Sequence, residues 1–403
     1  MKGSFNFLIH PRSSFNRKKI LFDVWKVRFD RESRLRLFSR RRALIHFLRH
    51  PLRKKPSFLI GPTNSANQGT LWANALTDAK FHSQSLRISR DPSSEWFNSD
   101  FALTKSDWLD IFKRQELADM IAKTKDVILV ESLRPILRLL NAKDGRNQVI
   151  EDLELLQSMG KRVGVIFHGS DIRDTQSHAA RNPYSPFRNE SEELVKMRLR
   201  TGENAALLPL LREKKIPIFV TTQDLLIDVP DAHWLPVTID YNRFQHIAMT
   251  APIFSALNEK LRVLFLPSRP WLKSADLIEP VLIKLRDEGV ISYHSYMSTG
   301  ASLKHSEVPA VMAKVDLVID QYLGVVGVFP LEALAAGRLV MSYLPAEAGE
   351  VPIINITPDT LESEIRRVAA TRPLAIAGAN YVKRWHDGRE SILALAEVFG
   401  FRV

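Results

Sequence analysis

The chain contains no cysteine, which removes disulfides, thiolate nucleophiles and thiolate metal sites from consideration. It has no uninterrupted apolar run of the ~18 residues that would mark a membrane-spanning helix. Its N-terminus lacks the apolar core and small-residue cleavage site of a signal peptide. Several catalytic signatures are missing too. There is no GxGxxG, so dinucleotide binding is poorly supported, and no GxxxxGK[ST], which disfavours an ATPase. HExxH and GxSxG are absent, which argues against a zinc protease or an α/β-hydrolase. No D-x-D triplet stands ready to clamp a diphosphate through a metal, so neither a metal nor a cofactor is expected. Acidic residues are scarce at one end only. Residues 1–55 hold 17 Lys/Arg against 3 Asp/Glu, whereas the rest of the chain holds 40 against 42.

What remains is a near-neutral body with a basic extension. With 403 residues, 45% hydrophobic and 25% charged, the composition is that of a globular protein with room for two domains. Within residues 1–55, RESRLRLFSRRRALIHFLRHP reads as an amphipathic helix. Leu37, Phe38, Leu44, Ile45 and Leu48 fall on one face, and Arg34 and Arg41 on that face can snorkel toward lipid phosphates. Trp25, Phe38 and Phe47 are available to insert. An anionic membrane surface is the expected partner of this segment, which places the protein in the cytoplasm, peripheral to the inner face of the membrane. The same charge could instead meet nucleic acid, but no recognised nucleic-acid module is present, and nucleic acid is not expected. A basic helix packed on the body, or a disordered arm, is the plainer alternative.

From Ser57 onward, short Val/Ile/Leu runs alternate with helical patterns, the signature of parallel sheets covered on both faces. Phe58–Ile60, DVILVES, RVGVIF, KIPIFV and HWLPVTID form a first set of strands. After a joint near Tyr241–Asn258 the pattern restarts with LRVLFL, ISYHSYM, DLVIDQ and RLVMSY. The predicted architecture is α/β, with two facing Rossmann-like domains, at 56–245 and 246–380. Residues 381–403 form a helix, and 1–55 the basic, partly helical extension. Ligands of such sheets bind at the strands' carboxyl ends, so facing domains share a cleft.

The strand-end loops carry the candidate chemistry. In DLVIDQYLGVVGVFPLEALAAG, Gly324 and Gly327 let backbone N–H groups approach a phosphate. Val328 and Phe329 open a helix whose N-terminus favours an anion. Glu332, one turn in, can accept from a pair of vicinal hydroxyls; capping of a tight turn is the alternative. Arg269 and Lys273 in FLPSRPWLKSADL suit a diphosphate leaving group, or form a solvated loop. In HGSDIR, His168 is either a structural histidine or a group that meets a sugar or acceptor hydroxyl. Gly169 permits close approach, Ser170 lies beside it, and Asp171 and Arg173 pair with each other or fix the loop. Gly61 and Asn64 belong to a first βα loop, GPTNSANQG.

These four stretches, in this order, resemble the nucleotide-sugar glycosyltransferases of the GT-B fold over roughly Ser57 to the C-terminus. The resemblance implies that the donor nucleotide binds the strand–Gly loop–helix, with Glu332 on its ribose and Arg269 and Lys273 on its diphosphate. It sets His168 near the sugar and acceptor, and makes the last helix a brace that crosses back to the first domain. One departure stands out. Many retaining members carry an additional glutamate where this chain has Gly324, which leaves the hexose contacts and the donor sugar open. The expected activity is metal-independent transfer, with retention favoured, from a nucleotide diphosphate sugar to a glycan or lipid-linked acceptor. If the enzyme inverts, His168 or Asp171 is the base. A nucleotide-sugar epimerase or an inactive sugar-binding scaffold are the alternatives.

Overall fold

The computed structural model describes residues 55–89, 97–138, 145–251, 253–254, 259–296 and 303–403. The expected amphipathic segment of the basic extension lies outside them. The described chain folds into two lobes, each built on an all-parallel sheet. The first sheet has seven strands in the order β3-β2-β1-β4-β5-β6-β7. They are β1 Ser57–Gly61, β2 His82–Ser89, β3 Phe101–Thr104, β4 Val127–Glu131, β5 Arg162–Phe167, β6 Ile218–Val220 and β7 His233–Trp234. The second sheet has five strands, β8 Leu261–Phe265, β9 Ile291–Tyr293, β10 Leu317–Ile319, β11 Leu339–Ser342 and β12 Ile354–Asn355. Their order is β12-β11-β10-β8-β9. Strand order therefore reverses between β1 and β4 in one lobe and between β8 and β10 in the other. Those are the crevices where doubly wound sheets take ligands.

The continuous apolar runs follow from burial on both faces. Leu59, Ile128, Val130, Val165 and Phe167 point into one core layer, while Phe58, Ile60, Val127, Leu129 and Ile166 point into the other. Each such side chain contributes about 1.5–3 kcal/mol on burial. The second lobe repeats the scheme. Val263, Phe265 and Ile319 lie on one side, and Leu264, Val318 and Val340 on the other.

The chain crosses between lobes twice. Helix Tyr241–Thr250 buries Phe244 and Ile247 in the second lobe, so the outward crossing falls near Ile239, earlier than the expected 245/246 boundary. Residues from about 375 onward form two helices. Ile376–Trp385 stays with the second lobe, with Val382 in its core. Arg389–Phe399 packs on the first lobe through Ile392, Leu395 and Phe399. Arg162 holds the far end by donating to the Phe399 carbonyl at 2.6 Å. The two crossings bond to each other. Ile239 N–H donates to the His386 carbonyl at 2.7 Å, and His386 Nδ1 donates to the Val237 carbonyl at 2.8 Å.

Candidate active site between the lobes

On the first lobe the site is organised by Glu131, at the carboxyl end of β4. The side chain is fully buried. Its Oε2 accepts the N–H groups of Thr63 at 2.9 Å and Asn64 at 2.7 Å. Its Oε1 faces His168 Nε2 at 3.0 Å. Burial pushes the Glu131 carboxyl up, but the His168 hydrogen bond and charge and the Asn64 and Thr63 N–H groups more than offset it, leaving it below the usual range. Burial likewise pulls His168 down, and the Glu131 and Asp171 carboxylates more than reverse that. An ionised Glu131 only accepts, so His168 Nε2 carries the proton. The other ring nitrogen, Nδ1, then remains for a ligand. The ring stacks on Trp72, with centroids 6.0 Å apart and planes at 16°, so packing fixes its orientation.

The remaining first-lobe residues support this pair. Asp171 does not bond Arg173. Its carboxylate accepts the N–H of His168 at 2.9 Å, that of Gly169 at 2.8 Å and the Ser132 hydroxyl at 2.6 Å. A carboxylate so fully engaged positions the loop, and its candidacy as a base is withdrawn. Arg173 is buried and paired with Asp224 at 2.6 Å. Gly169, at φ +125°, lets the guanidinium pass, with its Nη2 3.2 Å from where a Cβ would stand. Ser170 is half-buried beside them. The acceptor-loop expectation for Gly61 and Asn64 also changes. A Cβ on Gly61 would run into the Leu86 carbonyl, so this glycine serves sheet packing. The Asn64 amide donates to Thr70 and Ser99, at 3.1 and 2.9 Å, and accepts from Thr70 N–H at 3.1 Å. It ties its loop to the following helix and to the segment before β3.

On the second lobe, helix Val328–Ala335 starts at Gly327 without any side-chain cap. The first N–H groups of a helix have no intrahelical acceptor. The space where a Gly327 Cβ would stand is open. Lys273 lies alongside, its ammonium 5.6 Å from the centre of the Phe329 ring. Lys273 also bonds Asp320, which is buried at the end of β10 and has its Oδ2 unpartnered among the described residues. Its charge is thus shared before any ligand arrives. Arg269 is exposed on the preceding loop. Glu332 is buried, and its Oε1 is 2.7 Å from His305 Nε2. His305 in turn meets Phe97 of the first lobe at 4.8 Å. Gly324 departs from expectation. At φ +80° it is wedged beside Pro345, Asn182 and Tyr343, so the phosphate cradle read across two glycines narrows to Gly327–Phe329.

The lobes are joined at this loop. His178 Nε2 donates to the Leu323 carbonyl at 2.9 Å, and Asn182 Nδ2 donates to the Tyr322 and Leu323 carbonyls at 3.0 and 3.1 Å. Burial pushes His178 down to about 4, so the ring is neutral at pH 7, with Nε2 as donor and Nδ1 accepting the Ser185 hydroxyl at 2.8 Å. Phe187, Leu194, Met197 and Leu323 seal the contact with an apolar cluster. Among the described residues, no group of three or more His, Asp or Glu side chains is placed to hold a metal ion.

No protein-family model matches the sequence, and no curated protein does. Solved structures do match. A sucrose-phosphate synthase from Thermosynechococcus elongatus superposes with a TM-score of 0.54 at 12% identity, over 86% of this chain and 98% of that one. A glycosyltransferase from Rickettsia africae gives 0.51 at 12% identity, over 86% and 99%. The chain has the GT-B fold. His168 follows the carboxyl end of β5 and the Gly327 helix start follows the carboxyl end of β10, so each stands at the end of its sheet where doubly wound folds take ligands. Sequence reasoning missed Glu131, His178, Asn182 and His305. Glu131 was visible as a carboxylate closing a buried strand, in the same way that HGSDIR closes β5. The other three are recognisable only from the packing.

Proposed function

We propose that the chain is a glycosyltransferase that takes a nucleotide diphosphate sugar as donor. The observation that carries this reading is the uncapped helix start at Gly327, open to approach and flanked by Lys273. Unpaired N–H groups, a helix dipole and a neighbouring ammonium make an anion site. A diphosphate there competes with Asp320 for Lys273 and gains negative charge as it leaves. Arg269, on the exposed loop, reaches the same charge from solvent. Glu332, steadied by His305, takes the ribose hydroxyls. His168 presents Nδ1 to the sugar or the acceptor.

In the reaction the bond from the anomeric carbon to the β-phosphate oxygen breaks, and a bond to the acceptor hydroxyl oxygen forms. Asp171 is engaged, so the base this wall offers to an inverting reaction is Nδ1 of His168, whose Nε2–H is held by Glu131; retention, the reading favoured here, needs no such base. The acceptor proton then leaves on the departing diphosphate. The acceptor is a glycan or a lipid-linked saccharide. Residues 1–55 hold the enzyme to the cytoplasmic face of an anionic membrane, since each base near such a surface contributes about 1 kcal/mol. Thermal shift against UDP-, GDP- and dTDP-sugars, followed by product analysis, tests the donor. Lys273→Ala and Glu332→Ala should each cut turnover severely, and near-wild-type rates in either would refute the assignment. Binding with no product would favour a sugar-binding scaffold, and an isomerised donor an epimerase. Liposome flotation with and without residues 1–55 tests the membrane role, which equal partitioning would refute.

A further inference from the structure

Helix Gln68–Asp78 meets both His168 and the chain that runs between the lobes. Its Trp72 is 1% exposed. The indole stacks on the His168 ring, and its Nε1 donates to the Pro236 carbonyl at 2.9 Å. Pro236 lies in the outward crossing, between β7 and helix Tyr241–Thr250. The same carbonyl accepts the Ser391 hydroxyl, at 2.8 Å, from the helix that returns to the first lobe. One turn before Trp72, Gln68 holds the crossing a second time. Its side-chain amide accepts the Thr238 N–H at 2.7 Å and donates to the Thr238 carbonyl at 3.0 Å. Ala75 of the same helix backs onto Gly388 of the return crossing, where an added Cβ would come within 2.5 Å of the Ala75 Cβ.

Two constraints are needed to aim an imidazole. The Glu131 bond holds His168 at Nε2, and about the line of that bond the ring can still turn. A stacked face removes this rotation, and with it the freedom of Nδ1 to point elsewhere. A leucine or a phenylalanine would fill the same core, but only tryptophan brings a buried N–H that must find an acceptor. The acceptor it finds is already met by Ser391, so the crossing does not depend on the indole to satisfy its carbonyl. The second bond places the indole relative to the crossing. Beyond Ile239 that crossing enters helix Tyr241–Thr250, whose Phe244 and Ile247 share a core layer with Leu331 and Leu334 of the Gly327 helix. The His168 ring and the Gly327 helix are therefore attached to the two ends of one packed segment.

We propose that Trp72 is a positioning residue that sets the plane of the His168 ring by reference to the crossing, so that a shift of residues 236–239 re-aims Nδ1. The proposal rests on the role given to His168 above, but its test reads the ring and not turnover. The full chain is made with isotope-labelled histidine, and the His168 NMR signal is identified by its loss in His168→Gln. Ser391→Ala loosens the Pro236 carbonyl and leaves the indole in place, and it should shift the His168 signal. In a Trp72→Phe background, which keeps an aromatic face and lacks the N–H, Ser391→Ala should shift it no further. Trp72→Leu removes the face altogether and should also lower the His168 titration midpoint, since an aromatic face favours the imidazolium. A His168 signal unmoved by Ser391→Ala, or moved equally in both backgrounds, would overturn the proposal, because the crossing would then be mere packing or would reach the ring by another route. A Trp72→Leu chain with the wild-type midpoint would overturn the stack, and if that variant does not fold the Trp72→Phe comparison decides alone. A UDP-induced thermal shift should persist in Ser391→Ala and Trp72→Phe. Its absence from every form, wild type included, with the His168 shifts as expected, would uphold this proposal and sink the donor assignment.

Discussion

Glu131→Gln isolates the centre of the first-lobe wall. The substitution keeps the shape and removes the charge. In the native protein the carboxylate accepts two backbone N–H groups and faces His168, with no exposure to water. Hydrogen bonds to a charged group are worth about 1.5–3 kcal/mol, against roughly half that for neutral pairs. The amide retains one acceptor oxygen, which can stay on Thr63 and Asn64. Its NH₂ then faces His168 Nε2, and the imidazole must move its hydrogen to Nδ1. Weakening the bonds and losing the partner charge should together cost about 2–4 kcal/mol, somewhat less than deleting one member of a buried pair. The sign with pH follows from the two shifts. Glu131 is held low, so its contribution vanishes as pH falls through its folded value. His168 is held high, so its contribution vanishes as pH rises through its own. Urea unfolding at pH 7 reads the first quantity. Imidazole titration by NMR reads the second, with the His168 midpoint moving down in the variant. A loss under about 0.5 kcal/mol together with an unmoved His168 would refute the dyad.

The glycines at 324 and 327 should behave oppositely. Gly324→Ala forces a side chain into φ +80° against Pro345 and should cost about 1–3 kcal/mol, whereas Gly327→Ala, at φ −91° in open space, should lie within about 0.5 kcal/mol by thermal melting. His178 is held near 4 in the folded chain, so below about pH 6.5 the unfolded state takes up a proton that the native state refuses. The stability advantage of wild type over His178→Gln should therefore shrink by about 3 kcal/mol between pH 6.5 and 4 in denaturant titrations, and a constant difference would contradict the lowered value. Asn182→Ala removes the donor to two carbonyls of the opposite lobe. Solution scattering should show a larger radius of gyration than wild type at equal concentration.

The fold was largely legible because buried parallel strands write themselves as apolar runs. DVILVES, RVGVIF, LRVLFL and RLVMSY all became strands. β2 was not legible, since HSQSLRIS looks like a solvated segment. Its Ser85 is buried because Asp100 accepts both its N–H and its hydroxyl, at 2.7 and 2.9 Å, a partner fifteen residues away that no local pattern announces. HWLPVTID read as a full strand, but only His233–Trp234 pairs, because the rest is the crossing to the second lobe. The helix at Tyr241 read as a joint for the same reason. At the site, the HGSDIR and DQYLGVVGVFPLE loops stood out by composition. What each side chain does was not legible, because Asp171, Asn64, Lys273 and Glu332 all find partners from other elements, and those partnerships decide which groups remain for a ligand.

The paired crossings carry a mechanical consequence. Ile239 and His386 bond side by side, so the lobes share one spine instead of two separated tethers. A swing about that line, like covers on a binding, would have to break the His178 and Asn182 bonds to the Leu323 loop. Displacement in such a swing grows with distance from the spine and is smallest at His386. A ligand gripping both covers far from the spine exerts the greatest leverage on closure, while one seated beside it can remain in place as the mouth opens and shuts.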